Sequence, residues 1–119
     1  MAIIAPAIVT TPHDGILWLV RWANVTESDT AGPYPVAHKG DKSVNVYGTF
    51  GGGTVTIQGS NNPNGSATFS TLRDPLGNTL DTITTTALRQ ILEAVYQLRP
   101  SFAGGLNQSL TVDLLILGR

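Results

Sequence analysis

The chain contains no cysteine and few charged side chains. Its 119 residues include 7 Lys and Arg and 8 Asp and Glu, which is 13% of the chain and gives a formal net charge of −1. Without cysteine there is no disulfide, no thiolate nucleophile and no Cys-ligated metal. Because interface cores are depleted in charged residues, a surface with so few of them is suited to packing against copies or neighbours.

The basic residues are scattered and never form a run. Binding of nucleic acid requires a concentrated basic face, and recruitment to anionic lipid requires a polybasic segment. No apolar run approaches the roughly 20 residues of a membrane-spanning helix. We therefore expect neither nucleic acid nor a membrane among the partners.

No set of residues has the spacing of a catalytic or metal site. The two histidines, His13 and His38, lie in segments that predict loops, and the Gly-x-Ser-x-Gly turn of hydrolases is absent. Most of the acidic residues lie at turns and strand ends, where Asp closes turns. The sequence therefore predicts a protein that is not an enzyme and uses no cofactor.

Two runs of alternating apolar and polar residues, Ser43–Phe50 and Thr54–Gln58, flank three glycines at Gly51–Gly53. Alternation predicts strands, and the short glycine connection predicts a β-hairpin. Similar short runs, separated by turn residues, continue to the end of the chain. We expect an all-β fold: a single antiparallel, jelly-roll-like β-sandwich of seven or eight strands over residues 14–119.

One segment departs from the strand pattern. Its apolar residues recur at helical spacing, i, i+3, i+4 and i+7, which predicts one short helical turn. These residues are Leu88, Ile91, Leu92 and Val95.

The first long strand of the sandwich is apolar on both faces. Trp18, Val20 and Trp22 share one face, and the other face carries Leu17 and Leu19. A strand with two apolar faces is expected to be covered on both sides. One cover is the core, and the other is a second element, the N-terminal segment or another subunit.

Residues 1–13 form an apolar segment that we interpret as an extended N-terminal arm. Pro6 and Pro12 exclude a central strand position. Ordering a terminal segment costs conformational entropy, which must be offset by burial against a surface. We expect that surface on a neighbouring subunit; the alternative is an edge strand of the same domain. The candidate assembly contacts are Ile3, Ile4, Ile8 and Val9 of the arm, with Leu17 and Leu19 of the first strand.

Three stretches resemble motifs of a family of small tailed-bacteriophage virion proteins. They are SVNVYGTFGGGTVTIQGSNN at Ser43–Asn62, DPLGN at Asp74–Asn78 and RPSFAGG at Arg99–Gly105. The resemblance covers roughly residues 16–119. It departs after Gly65, where the family has an Asn-Trp pair and this chain has Ser66 and Ala67.

The resemblance implies a capsid decoration, or cement, protein. Such a protein is made in the host cytoplasm, binds the outer shell of the virion and stabilises it by bridging neighbouring major capsid proteins. Its partners would be the major capsid protein and itself, as a homotrimer. Two alternatives stay open. One is a carbohydrate-binding or adhesin-like module of a phage tail or host-recognition structure, with Trp18, Trp22 and Tyr47 as a sugar platform, and the other is a secreted binding domain.

Overall fold

The protein is an all-β fold in which eleven strands are described. The computed structural model describes residues 3–10, 17–26, 28–36, 41–64 and 68–117, and the side chains of all of these except residues 9, 10 and 17. The strands are β1 (Ile3–Ile4), β2 (Ala7–Thr10), β3 (Leu17–Val25), β4 (Thr30–Ala31), β5 (Tyr34–Pro35), β6 (Lys42–Thr49), β7 (Thr54–Ser60), β8 (Ser70–Thr71), β9 (Ala87–Ile91), β10 (Gln97–Ala103) and β11 (Ser109–Leu117).

Nine of these strands form two antiparallel sheets. The five-stranded sheet has the order β2-β3-β11-β6-β9, and the four-stranded sheet has the order β5-β10-β7-β8. A short parallel pair joins β1 to β4. The predicted all-β class and antiparallel sandwich are confirmed, with more and shorter strands than expected. The jelly-roll wiring stays a prediction.

The core lies between the two sheets and is filled by alternate residues of the long strands. β7 and β11 alternate strictly between buried and half-buried positions, as expected of strands with one face on a core. Both sheets contribute to one cluster of fully buried side chains, which includes Trp22, Val44, Val46, Leu114, Val55, Ile57 and Leu98. Trp18 packs against this cluster and is partly buried.

The predicted hairpin is wrong. β6 pairs with β11 and β9, whereas β7 pairs with β10 and β8, so the two strands belong to different sheets. The segment between them crosses from one sheet to the other. Gly51 and Gly52 turn it with φ angles of 59° and 83°. Both strands present an apolar face, and placing them in opposite sheets buries both faces against each other.

A second crossover, between β10 and β11, lies against the first. The amide N–H of Leu106 donates a hydrogen bond to the Gly51 carbonyl at 3.0 Å. The side-chain Nε2 of buried Gln108 donates to the Phe50 carbonyl at 3.2 Å. The glycine motifs that carry the family resemblance therefore meet at one end of the sandwich, where they build the fold.

The predicted helical turn is also wrong, because the described residues contain no helix and residues 87–91 form β9. Asn45 pairs with Leu88 and Lys42 pairs with Ile91, so these two apolar residues lie on opposite faces of the strand. Leu88 is exposed and Ile91 is buried. Backbone pairing with β6 outweighs a helical pattern of only four apolar residues, since so short a helix is marginal.

Residues 3–10 of the predicted arm pair with strands of their own chain. β2 lies antiparallel beside β3, and β1 lies parallel to β4. The expectation that the arm needs a neighbouring subunit in order to be ordered is therefore wrong for these residues, and they follow the edge-strand alternative. Pro6 lies between β1 and β2, where its missing N–H interrupts no ladder. A contact between the arm and a neighbour stays a prediction.

The DPLGN stretch is a turn closed by the side chain of Asp74. Its Oδ1 accepts hydrogen bonds from the amide N–H groups of Leu76 at 3.0 Å and Asn78 at 2.9 Å. Gly77 takes a φ of 88° at the end of the turn. The Asn78 amide lowers the pKa of Asp74, and this effect outweighs burial, which raises it.

A carboxylate whose pKa falls on folding stabilises the protein above its unfolded-state pKa, and that stability is lost as the pH falls through its folded pKa. We therefore expect Asp74→Asn to lower the melting temperature at about pH 7, and the deficit to be smaller at about pH 3, below the usual aspartate pKa of about 3.9, because there the unfolded chain is protonated at this position before the folded protein is. Calorimetry at both values measures this. Asp81→Asn, an exposed aspartate of the same region, is the control, and an equal Asp74→Asn deficit at both pH values would contradict the prediction.

Candidate interaction surface

The five-stranded sheet has a second face that points away from the core. We call it the outer face and define it by the outward side chains of β3, β6, β9 and β11. In these strands they alternate with the core residues and lie in register across the sheet. They are Leu19, Arg21, Ser43, Asn45, Tyr47, Leu88, Gln90, Thr111, Asp113, Leu115 and Leu117.

An ion pair lies at the centre of the outer face. Arg21 on β3 pairs with Asp113 on β11, donating from Nε to Oδ1 at 2.7 Å and from Nη2 to Oδ2 at 3.1 Å. The hydroxyl of Tyr47 on β6 donates to Asp113 Oδ2 at 3.0 Å. The carboxylate therefore ties together three strands of the sheet.

The pKa values of the two residues that bond to Asp113 are both raised. The hydrogen bond and charge of Asp113 raise the pKa of Arg21. Burial raises the pKa of Tyr47, and its hydrogen bond to Asp113 adds to the effect. Arg21 and Tyr47 therefore both keep their protons at neutral pH and act as hydrogen-bond donors to the carboxylate.

Leucines lie on one side of the ion pair. Leu115 on β11 lies directly opposite Leu19 on β3, and both are half-buried. Leu88 and Leu117 are 71% and 44% exposed. A shallow depression of about 450 Å³ opens beside Leu115, and Ser43 and Gln90 supply polar groups to its wall. Apolar side chains around a few paired polar groups are typical of a protein contact.

The structure does not bring the six predicted assembly residues together on one surface. Leu19 lies on the outer face, Ile4 packs against the core, and Ile3 and Ile8 are exposed elsewhere. The side chains of Val9 and Leu17 lie outside the described part of the structure.

The three aromatic residues weighed as a sugar platform do not share a surface. Trp22 is fully buried, and its Nε1 donates to the Gly32 carbonyl at 2.7 Å. Trp18 packs against the core, and Tyr47 lies on the outer face with its hydroxyl bonded to Asp113. The core therefore covers the face of the first strand that carries Trp18 and Trp22.

Acidic groups in the described residues serve the fold. Asp74 closes a turn, and Glu93 binds both the backbone N–H and the guanidinium of Arg73. No group of three metal-ligating side chains occurs among these residues, and none of the described segments is a helix able to cross a bilayer. His13 and His38 lie outside the described residues, as do Ser66 and Ala67, where the motif resemblance breaks.

Sequence reasoning missed the cluster of Arg21, Tyr47 and Asp113. A signal was present, because Arg21 and Asp113 are each the single charged residue in a long apolar strand. A charge of each sign in the middle of two such strands indicates that the strands are neighbours and that the charges meet. The register places these two residues directly opposite each other.

Comparison with known proteins identifies the fold. No protein-family model and no curated protein matches the sequence. The SPBc2 prophage-derived protein YomS has a similar structure, with a TM-score of 0.66 and 13% identity over 94% of this chain and 100% of that chain. An IMPa metallopeptidase in complex with T-antigen matches with a TM-score of 0.41 and 12% identity, over 87% of this chain and 13% of that chain. The second likeness is too low to carry an argument.

Proposed function

We propose that this chain is a phage virion protein of the capsid decoration, or cement, type. It binds the outer shell and stabilises it by bridging neighbouring major capsid proteins. The observation that carries the proposal is the structural likeness to a prophage-derived protein, which extends over 94% of this chain and the whole of the other. The motif resemblance at Ser43–Asn62 supports the same class.

The outer face supports a role in binding a partner protein. Its central charges, Arg21 and Asp113, neutralise each other, and its remaining side chains are leucines, hydroxyls and amides. When a partner binds such a surface, contact area is buried but no unpaired charge is, and burial of an unpaired charge would be costly. A protein that works in this way needs no assembled catalytic group, and we propose that this one is not an enzyme.

Cryo-electron microscopy of virions from the phage that carries this gene tests the proposal. We expect density of the size of one sandwich, or of a small group of them, on the outside of the shell at junctions between capsomers. Capsids that lack the protein should release their DNA at a lower temperature, since bridging contacts are missing, and added protein should restore the higher temperature.

Two results would overturn this proposal. One is density confined to the tail, which would favour the host-recognition alternative. The other is a shell whose heat resistance does not change when the protein is removed and added back. Binding to a glycan array would separate the alternatives further, because a decoration protein requires no sugar ligand.

A further inference from the structure

The two sheets differ in how their outward faces are covered. On the four-stranded sheet, Gln97 Nε2 holds the carbonyls of Asn62 and Asn64 at 2.8 and 3.2 Å, so the loop after β7 lies over the end of β10. Arg99 of the same strand stacks on Phe69 at 3.9 Å. On the five-stranded sheet, β2 lies beside β3 within the sheet. Within the described ranges a loop of the chain lies over part of the first face, whereas the outer face stays open.

The outer face has the area of a small protein contact. Its four strands, spaced about 4.8 Å apart and averaging about eight residues of roughly 3.3 Å each, span about 19 by 26 Å. The resulting area of about 500 Å² per copy gives about 1,000 Å² for two copies, which is about the minimum for a specific interface. A small ligand would cover only a fraction of it.

The charges of the outer face match a second copy of the same face. Its centre carries one cation and one anion, Arg21 and Asp113, on adjacent strands. A two-fold axis beside this pair places Arg21 of one copy over Asp113 of the other, so the charges stay balanced when water leaves. Asp41 and Arg89 line the nearby depression at the edge of the sheet and add one charge of each sign there.

We propose that the outer face is the contact between two copies of this chain, related by a two-fold axis. Leu19, Leu88, Leu115 and Leu117 are buried between the copies, beside the paired charges. The contact is isologous, so each side presents the same patch. The inference concerns self-association and does not rest on capsid binding.

Analytical ultracentrifugation of the full chain measures the association. We expect a mass twice that of one chain, and a monomer for Leu115→Glu, because the new carboxylates are buried against each other. Leu117→Glu, at the strand end, is a second variant that disturbs the sheet less. Leu76→Glu makes the same change at an 88% exposed turn and should stay dimeric, and circular dichroism reports whether each variant is folded.

Alkylation of single cysteines locates the contact, since the natural chain has no cysteine. A thiol introduced by Asn45→Cys, in the middle of the outer face, should react at least about tenfold more slowly in the dimer than in the Leu115→Glu background. A thiol from Leu76→Cys should react at the same rate in both. Equal rates for Asn45→Cys would show that the contact lies elsewhere and overturn the proposal.

The mass measured by ultracentrifugation distinguishes the remaining outcomes. A monomeric wild type overturns the proposal, and so does a trimer, the oligomer that the family resemblance implies. A monomer that still decorates capsids would contradict this inference and leave the proposed function standing. A dimer with a protected outer face that never binds a shell would support this inference and contradict the proposed function.

Discussion

Trp22→Ala is expected to lower the free energy of unfolding by about 3–5 kcal/mol, the usual cost of removing a large aromatic side chain from a packed core. Trp22 is the largest fully buried side chain of the described residues and contacts the cluster that joins both sheets. Because small domains are stable by only about 5–15 kcal/mol, this loss removes a large share of the total stability. Urea titration followed by circular dichroism measures it.

Two further variants separate packing from hydrogen bonding at this site. Trp22→Phe keeps most of the ring but removes the Nε1 donor, which leaves the Gly32 carbonyl without that partner, at a cost of about 1–3 kcal/mol. Leu76→Ala, at an exposed turn, should stay within about 0.5 kcal/mol of the wild type. A folded Trp22→Ala protein that loses less than about 1 kcal/mol would contradict the assignment of Trp22 to the core.

Gly51→Ala should cost much more than Gly52→Ala, although the two glycines are neighbours in the same turn. Both have positive φ angles, so each alanine carries a backbone penalty of about 1–2 kcal/mol. A Cβ on Gly51 would also collide with the backbone carbonyl of Leu106, whereas a Cβ on Gly52 meets nothing within 4 Å. We expect a total of at least about 3 kcal/mol for Gly51→Ala.

The difference in stability between these two variants measures the contact between the crossovers, because both variants carry the same backbone penalty. Thermal melts of the pair, measured side by side, give it directly. Equal melting temperatures would mean that the two crossovers are not packed together as the Leu106–Gly51 hydrogen bond indicates.

Local alternation was enough to predict strands, their buried faces and the sandwich, because each long strand buries every second residue. It could not assign strands to sheets. The runs on either side of Gly51 are as compatible with a hairpin as with a crossover, since both arrangements keep the same residues inside. The choice depends on β10 and β11, which lie about fifty residues further on and supply the pairing partners.

The helical spacing at Leu88 and Ile91 misled for a related reason. A short apolar pattern stabilises a helix only through the surface that it buries. The free edge of β6 provides pairing partners for all five residues of β9, and this pairing decides the structure. The prediction of assembly residues considers each segment by itself. It therefore groups Ile4 with Leu19, although Ile4 packs against the core and Leu19 lies on the outer face. The ion pair of Arg21 and Asp113 joins strands separated by most of the chain and needed a fold to become visible.

The position of β11 has a consequence for how the chain is made. This strand comes after every other described strand in the sequence, yet it lies in the middle of the five-stranded sheet, between β3 and β6. During synthesis, β3 and β6 therefore emerge from the ribosome long before the strand that pairs with both of them. Until it arrives, each has an unpaired edge of the kind that invites pairing with another chain. The nascent protein is thus exposed to misassociation until β11 has been made, and slow, non-local pairing prolongs that interval.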